Sequence, residues 1–404
     1  MPPLREAKGP SPRSGTAPAR PVVLVTIGHY LPGFRAGGPI HSLAHLVEHL
    51  SDEFDFRIVS TDRDLGDEQA YPGIETDRWL PVGPARVLYA SPPRQGARAI
   101  ARLIAETPHD LLYLNSFFSP RFTIGPLLAR RLGLVPRRPT VLAPRGEFSP
   151  GALALEAWKK RFYLAAGRAA GLFRDIHWQA SSDFEARDIR AAIGPQARLS
   201  VACDLPAPLG AHAPPHTPRQ PGAPLRIAFV SRISPMKNLD YALKVLARVR
   251  VPVRFSIAGP AEDAEHVRLC RTLAEGLGPH VHVDWLGPLH PEQVGAVFAA
   301  HDLFFFPTRG ENYGHVIAES LAAGTPVLIA DTTPWRGLAE AGVGDDLPLG
   351  DPAAFAARIE ALAAEPVEEA QARRRRAATF SYHGRDDDIQ ANRRLFRFSI
   401  VAGY

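Results

Sequence analysis

The chain has 404 residues, of which 45% are hydrophobic, and a formal net charge of +5. That length suits two domains rather than one, no apolar run reaches the ~18 residues of a membrane span, and two cysteines, Cys203 and Cys270, make no disulfide framework. A pI of about 9.3 without a long basic tract favours contact with phosphates or an anionic membrane and not with nucleic acid. In chain order, residues 1–20 lack the apolar stretch of a signal peptide and read as a disordered leader. Short β-branched runs at 22–26, 56–61, 110–115, 140–143 and 176–180 then alternate with amphipathic segments near 40–50, 121–132, 152–166 and 183–192. A strand-then-helix order predicts a parallel sheet covered on both faces, so residues 21–205 read as an N-terminal Rossmann-like domain. Residues 206–224, rich in Pro, His and Ala without apolar periodicity, read as a linker. A second series has strands at 226–230, 253–258, 282–285, 303–306 and 326–330, with helices near 238–249, 263–277, 291–300, 314–323 and 352–364. It defines a C-terminal domain over 225–380, followed by a terminal helical segment at 381–404. The fold class is α/β, and two such sheets leave a cleft between their carboxyl-end loops.

Two stretches carry chemistry. In residues 307–331 a strand ends at Pro307, a loop carries Glu311, a helix starts near Gly314, and Gly324 suits its C-cap. The N–H groups at such a helix start favour a diphosphate, and Gly314 permits close backbone approach. Glu319 lies roughly 7 Å further along at ~1.5 Å per residue, where a ribose would fall. In residues 229–246 a strand ends at Ser231, Arg232 and Lys237 occupy the next loop, and Asn238 has the character of an N-cap. Two cations there would neutralise a departing diphosphate. The plain alternatives are a solvated helix face and a surface loop.

Together these stretches resemble the family-four retaining glycosyltransferases of the GT-B fold. The matching features are Ser231-Arg232 with Lys237-Asn238, Ala258-Gly259-Pro260 after a strand, Leu286-Gly287, Glu311 through Glu319, and SLAAGTPVLIAD. The resemblance implies that Arg232 and Lys237 hold the donor diphosphate, Glu311 the sugar ring and Glu319 the ribose. It implies that Asn312, Tyr313 and Gly314 lie against phosphates and sugar, that Leu286 and Gly287 meet the base, and that Gly259 lets the chain pass close to the nucleotide. In the first half, Gly37-Gly38 resembles the loop that faces donor phosphate and acceptor, with Arg35 beside it. The terminal segment is expected to cross back to the first domain.

Residues 142–164, with Pro144-Arg145-Gly146-Glu147 and Trp158-Lys159-Lys160-Arg161, resemble a subset found in bacterial surface-polysaccharide pathways. Many relatives place a histidine where this chain has Arg145. Arg145 or Glu147 is the expected substitute, with His177 and His29 as other cleft candidates. In the helix that follows, Leu155, Trp158, Phe162, Ala165 and Ala169 share a face. That face reads either as core packing or, with the adjacent cations, as a surface resting on an anionic membrane. The implied reaction is retaining transfer from a UDP- or GDP-sugar to a glycan or lipid-linked acceptor, without cofactor, metal or nucleic acid. The expected location is the cytoplasm, peripheral on the inner membrane. A nucleotide-sugar epimerase of the same fold and a non-catalytic sugar-nucleotide-binding protein are the rival readings.

Overall fold

The computed structural model describes residues 20–154, 157–206, 216–220, 222–380 and 385–402. The leader and most of the linker, 207–215 and 221, lie outside them. The first unit contains β1 (Val22–Thr26), α1 (Gly38–Leu50), β2 (Asp55–Thr61), β3 (Trp79–Val82), β4 (Ala85–Ala90), α2 (Ala97–Glu106) and β5 (Leu111–Asn115). It continues with α3 (Gly125–Arg131), β6 (Thr140–Ala143), α4 (Pro150–Ala154), α5 (Ala157–Ala169), β7 (Ile176–Ala180), α6 (Asp183–Ile193) and β8 (Leu199–Val201). The eight strands form one sheet in the order β3-β4-β2-β1-β5-β6-β7-β8. Every pairing is parallel except β3 with β4. Side chains alternate along each strand. Val23 and Val25 therefore enter one core with Tyr113, while Leu24 enters the other with Leu112 and Trp178.

The second unit contains β9 (Leu225–Val230), α7 (Leu239–Leu246), β10 (Val253–Ala258), α8 (Ala264–Glu275), β11 (Val281–Gly287), α9 (Pro291–Ala300) and β12 (Leu303–Phe306). Then come α10 (His315–Ala322), β13 (Val327–Ala330), β14 (Gly344–Leu347), α11 (Pro352–Ala364) and α12 (Val367–Thr379). Its sheet runs β11-β10-β9-β12-β13-β14, all parallel. The last helix, α13 (Arg385–Ala402), packs on the first sheet. There Phe396 meets Phe54, Phe56 and Tyr113 at ring distances of 5.7, 6.3 and 5.1 Å. No helix among the described residues is long and apolar enough to cross a membrane.

Several elements escape the periodicity reading. The hairpin β3–β4 has Pro81 on its edge strand, a residue that weakens any strand pattern. α12 carries four consecutive arginines and so has little apolar signal. The helix expected over 121–132 is two pieces: a wide turn at Pro120–Ile124, in which the Ser119 side chain accepts from the Phe122 amide, then α3.

In both sheets the neighbours of the first strand lie on opposite sides: β1 stands between β2 and β5, and β9 between β10 and β12. At such a switch point the loops leaving the carboxyl ends diverge and open a crevice. The loop from β1 to α1 and the loops after β9 and β12 all start there.

Candidate donor site between the two sheets

The loop after β9 is shaped by backbone crowding. Gly259 has φ of 138°, and a Cβ on it would collide with the Ser231 carbonyl oxygen. The glycine is thus demanded by the neighbouring strand end, a reason independent of any nucleotide. Met236 accepts from the Arg309 amide at 2.9 Å and from Thr308 Oγ1 at 3.2 Å, joining this loop to the one after β12. Asn238 stands at the N-cap of α7 in the left-handed region, φ 62°. Its side chain does not cap the helix; it donates to the Pro307 carbonyl at 2.9 Å and accepts from Arg309 Nε at 3.0 Å.

This stitching sets Lys237 against Glu311. The two form an ion pair with side chains 14% and 13% exposed, and Lys237 Nζ lies 5.7 Å from the Phe306 ring centre. Arg232 is further out, paired with Glu262 in a half-exposed bridge.

Gly314 turns the chain into α10 with φ of 85°, and a side chain there would press on Ile317 at 2.9 Å. The buried Tyr313 carbonyl accepts from Trp335 Nε1 at 2.6 Å. At the far end, the Gly324 and Thr325 amides return to Leu321 and Ser320 at 2.8 Å, closing the helix as a glycine C-cap does. In the first turn of α10 the Ile317 amide donates to the Gly314 carbonyl at 2.8 Å, and the His315 and Val316 amides precede the internal ladder of the helix. His315 and Glu319 are four residues apart and share the face toward α1. Burial raises the pKa of Glu319, and nearby His41 opposes that shift. At the rim, Gly287 ends β11 with φ of 74° beside exposed Leu286, and its carbonyl accepts from the Gly259 amide at 2.8 Å.

Across the crevice, Gly37 caps α1 with φ 71° and ψ −134°, a backbone that glycine adopts readily. A Cβ on Gly38 would lie 3.9 Å from the His315 ring. Ser42 Oγ is 2.7 Å from His315 Nε2. Buried Asp64 holds the loop before Gly37 by accepting from the Phe34 amide at 2.8 Å and from the Arg35 amide. Arg35 itself pairs with Asp67 at the surface, and the Phe34 ring rests 5.5 Å from that of His290.

Residues 217–380, which contain all of the crevice's second wall, match the family described as Glycosyl transferases group 1. Over its whole length the second unit is similar to a group 1 glycosyl transferase domain. A D-inositol 3-phosphate glycosyltransferase of Geodermatophilus obscurus is 33% identical over 175 residues, 41% of this chain and 39% of that protein. The namesake enzyme of Mycolicibacterium smegmatis is 39% identical over 107 residues, 26% and 24%. The chain thus spans about two fifths or less of the length of the curated relatives it matches. Among solved structures, sucrose-phosphate synthase from Thermosynechococcus elongatus superposes with a TM-score of 0.67 at 17% identity, covering 95% of this chain and 100% of that one. The Anabaena protein HepE in complex with UDP-glucose gives 0.64 at 17%, covering 94% and 99%. The fold is GT-B, two parallel-sheet α/β units.

The second unit brings Lys237, Glu311, Asn312, Tyr313, Gly314 and Glu319 to one edge of the crevice, opposite Gly37 and Gly38. Asn312 also meets the first domain, since a Cβ on Gly146 would stand 3.4 Å from its side chain. The candidates for the missing histidine fare differently. Arg145 is buried and fully engaged: it pairs with Asp204 and donates to Asn115 Oδ1 and Tyr113 Oη at 2.9 Å. Glu147 turns inward to accept from the Phe117 and Phe118 amides. Both shape the first domain's loops, and Arg145 stands close enough to the crevice to oppose charge on His315. His177 lies between Ser399 on α13 and Ser200 on β8, each at 2.9 Å, and burial lowers its pKa to about 4. His29 contacts the Arg63 carbonyl at 3.1 Å and Thr61 Oγ1 at 3.2 Å.

Sequence reading passes over His41, Ser42, His45 and His315. Their signal is the four-residue spacing of His41 and His45, hidden because α1 reads as an ordinary amphipathic helix.

Proposed function

We propose that this chain transfers a glycosyl residue from a nucleotide-sugar, with UDP and GDP as the favoured carriers, to a glycan or lipid-linked acceptor, retaining the anomeric configuration. The observation that carries the reading is the Lys237–Glu311 pair beside the amino end of α10, facing the Gly37-Gly38 turn. The family match of the second domain, and the transfer activity in the relatives' names, support it.

A bound donor would open that pair. Lys237 and the first-turn amides of α10 would take the diphosphate, leaving Glu311 to accept from the sugar's hydroxyls and Glu319 from the ribose. Arg232 would reach the diphosphate by exchanging Glu262 for it. As the bond from sugar C1 to the diphosphate oxygen breaks, the negative charge grows on the diphosphate, against Lys237. The acceptor oxygen bonds to C1 from the same face, and its proton passes to the leaving diphosphate oxygen. This route needs no protein base, which fits the engagement of Arg145 and Glu147 elsewhere.

The acceptor's setting follows from α5. Trp158 and Phe162 are 73% and 71% exposed, and Lys159 and Arg161 stand beside them on the surface. An aromatic and basic face of this kind suits an anionic bilayer, which supports a reading in which the acceptor is carried on lipid at the cytoplasmic face.

A thermal-shift screen with UDP, GDP, ADP and dTDP tests the donor reading, since ligand at 100 times its Kd adds about 2.7 kcal/mol. The nucleotide sugar of the stabilising base, incubated with lipid-linked acceptor, should yield a product whose proton NMR coupling shows the donor's anomeric configuration. An inverted product, or hydrolysis without transfer, would overturn the mechanism.

A further inference from the structure

The amino end of α10 carries imidazoles that these donor roles leave unused. The His315 ring lies 6.2 Å from that of His41 and 5.7 Å from that of His45, and the last two are 6.1 Å apart. His315 belongs to the second unit and the other two to α1, so the cluster spans the crevice. It is anchored from both sides: Ser42 meets His315 Nε2, and His45 Nδ1 lies 3.0 Å from the Leu205 carbonyl. The Gly37-Gly38 turn stands against His315, where a Cβ on Gly38 would lie 3.9 Å from the ring, and half-buried Glu319 is within reach of His41.

His45 and His315 are set where charge is unfavourable. Burial, with repulsion from its neighbours, lowers His45 to about 4 and His315 well below the ordinary imidazole value. Arg145 adds to the repulsion felt by His315. His49 opposes protonation of His45, while Asp204 and the Leu205 carbonyl favour it. Glu319 faces His41. A diphosphate at the first turn of α10 would bring two or more negative charges to these rings, and an opposite charge within about 4–6 Å favours the protonated form.

We propose that His41, His45 and His315 are a proton-accepting lining of the diphosphate site, so that binding a nucleoside diphosphate draws protons from solvent into the cluster. The inference rests on the donor reading above and deepens it. Neutral rings at His45 and His315 let the two domains approach without repulsion. With diphosphate present the protonated rings add positive charge from both walls, and the same protons return to solvent when the diphosphate leaves.

The test is titration calorimetry of the full chain with UDP, GDP, ADP and dTDP at neutral pH, in buffers of differing ionisation enthalpy. The buffer dependence counts protons exchanged. A nucleoside diphosphate entering a cationic site can itself only release a proton, so net uptake by wild type identifies groups on the protein. We expect net uptake for the tightest-binding nucleotide, falling by roughly half or more in His315→Gln and in His41→Gln. Exposed His282, on β11, serves as control, and His282→Gln should match wild type. Binding with no uptake, or with uptake unchanged in both variants, overturns the inference and leaves the donor site standing. Failure of all four nucleotides to bind overturns the donor reading and the inference together.

Discussion

Lys237 and Glu311 are each other's partner, so neither can be removed in isolation. Lys237→Ala leaves Glu311 with its charge in a mostly buried place and also removes a donor to the leaving diphosphate. Turnover should fall by about a hundredfold or more, the scale of losing one transition-state donor. Arg232→Ala should cost less, because Arg232 is half exposed and must first leave Glu262. Steady-state kinetics of both variants, with circular dichroism to verify folding, make the comparison; equal losses would contradict the ranking. Much of this placement was legible in the sequence: the spacing puts Arg232, Lys237 and Glu311 in the loops after β9 and β12, and Glu319 inside α10. The partners were not. Arg145 or Glu147 is the expected substitute for the sugar-facing histidine, and Arg145 pairs with Asp204, 59 residues later, a separation that local pattern cannot bridge.

At the scale of elements, α5 shows why periodicity alone misdirects. Trp158, Phe162, Ala165 and Ala169 do share a face, but it is the exposed one, and the buried face carries Leu164 and Gly167; Leu155 lies outside the described residues. Lys160 turns back to donate to the Ala152 carbonyl at 2.6 Å and sits 5.0 Å from the Phe118 ring centre. Only Lys159 and Arg161 therefore belong with the outward aromatics. Trp158→Ser with Phe162→Ser should reduce co-sedimentation with vesicles rich in anionic lipid. Lys159→Ser with Arg161→Ser should weaken it by about 1 kcal/mol per charge. Neither pair should lower Tm, since these side chains leave little contact behind. Retained binding in both pairs would return α5 to a plain solvated helix.

The docking of α13 makes a different prediction. Phe396→Ala should destabilise by about 3–5 kcal/mol, the usual cost of emptying a packed aromatic site. His177 lies under the same helix and is held neutral, near 4, against an unfolded value of about 6.5. Its depressed folded pKa costs nothing above about 6.5 and destabilises as pH falls from there toward 4, because only the unfolded chain takes the proton. His177→Asn should flatten that part of the stability profile in urea titrations. An unchanged slope would mean that other groups, His45 among them, dominate.

At the scale of the whole molecule the two units meet around one crevice, through contacts that include Phe34 with His290, Ser42 with His315, and Gly146 with Asn312. A separate cavity of about 450 Å³ opens among Arg219, Leu225, Asp302, Pro326 and Arg374. It lies at the amino ends of β9, β12 and β13, the end of the sheet opposite the switch point. The parallel order of both sheets was readable from alternating strand and helix segments, since that order follows from burial on both faces. The edges were less so: β3, β8 and β14 are short and half-buried, and such strands carry little periodic signal.

The central claim is that α10 and its preceding loop hold the donor, with Glu319 at the ribose and Glu311 at the sugar. Titration calorimetry with the nucleoside diphosphate that stabilises the chain separates the two. Glu319→Ala should lose about 1.5–3 kcal/mol, roughly ten- to a hundredfold in affinity, as for a hydrogen bond to a charged group. Glu311→Ala should bind the free diphosphate as well as wild type or more tightly, because its removal frees Lys237, yet it should fail to transfer sugar from the full donor. If both variants bind the diphosphate like wild type, the two glutamates are not donor ligands and the placement of the nucleotide is wrong.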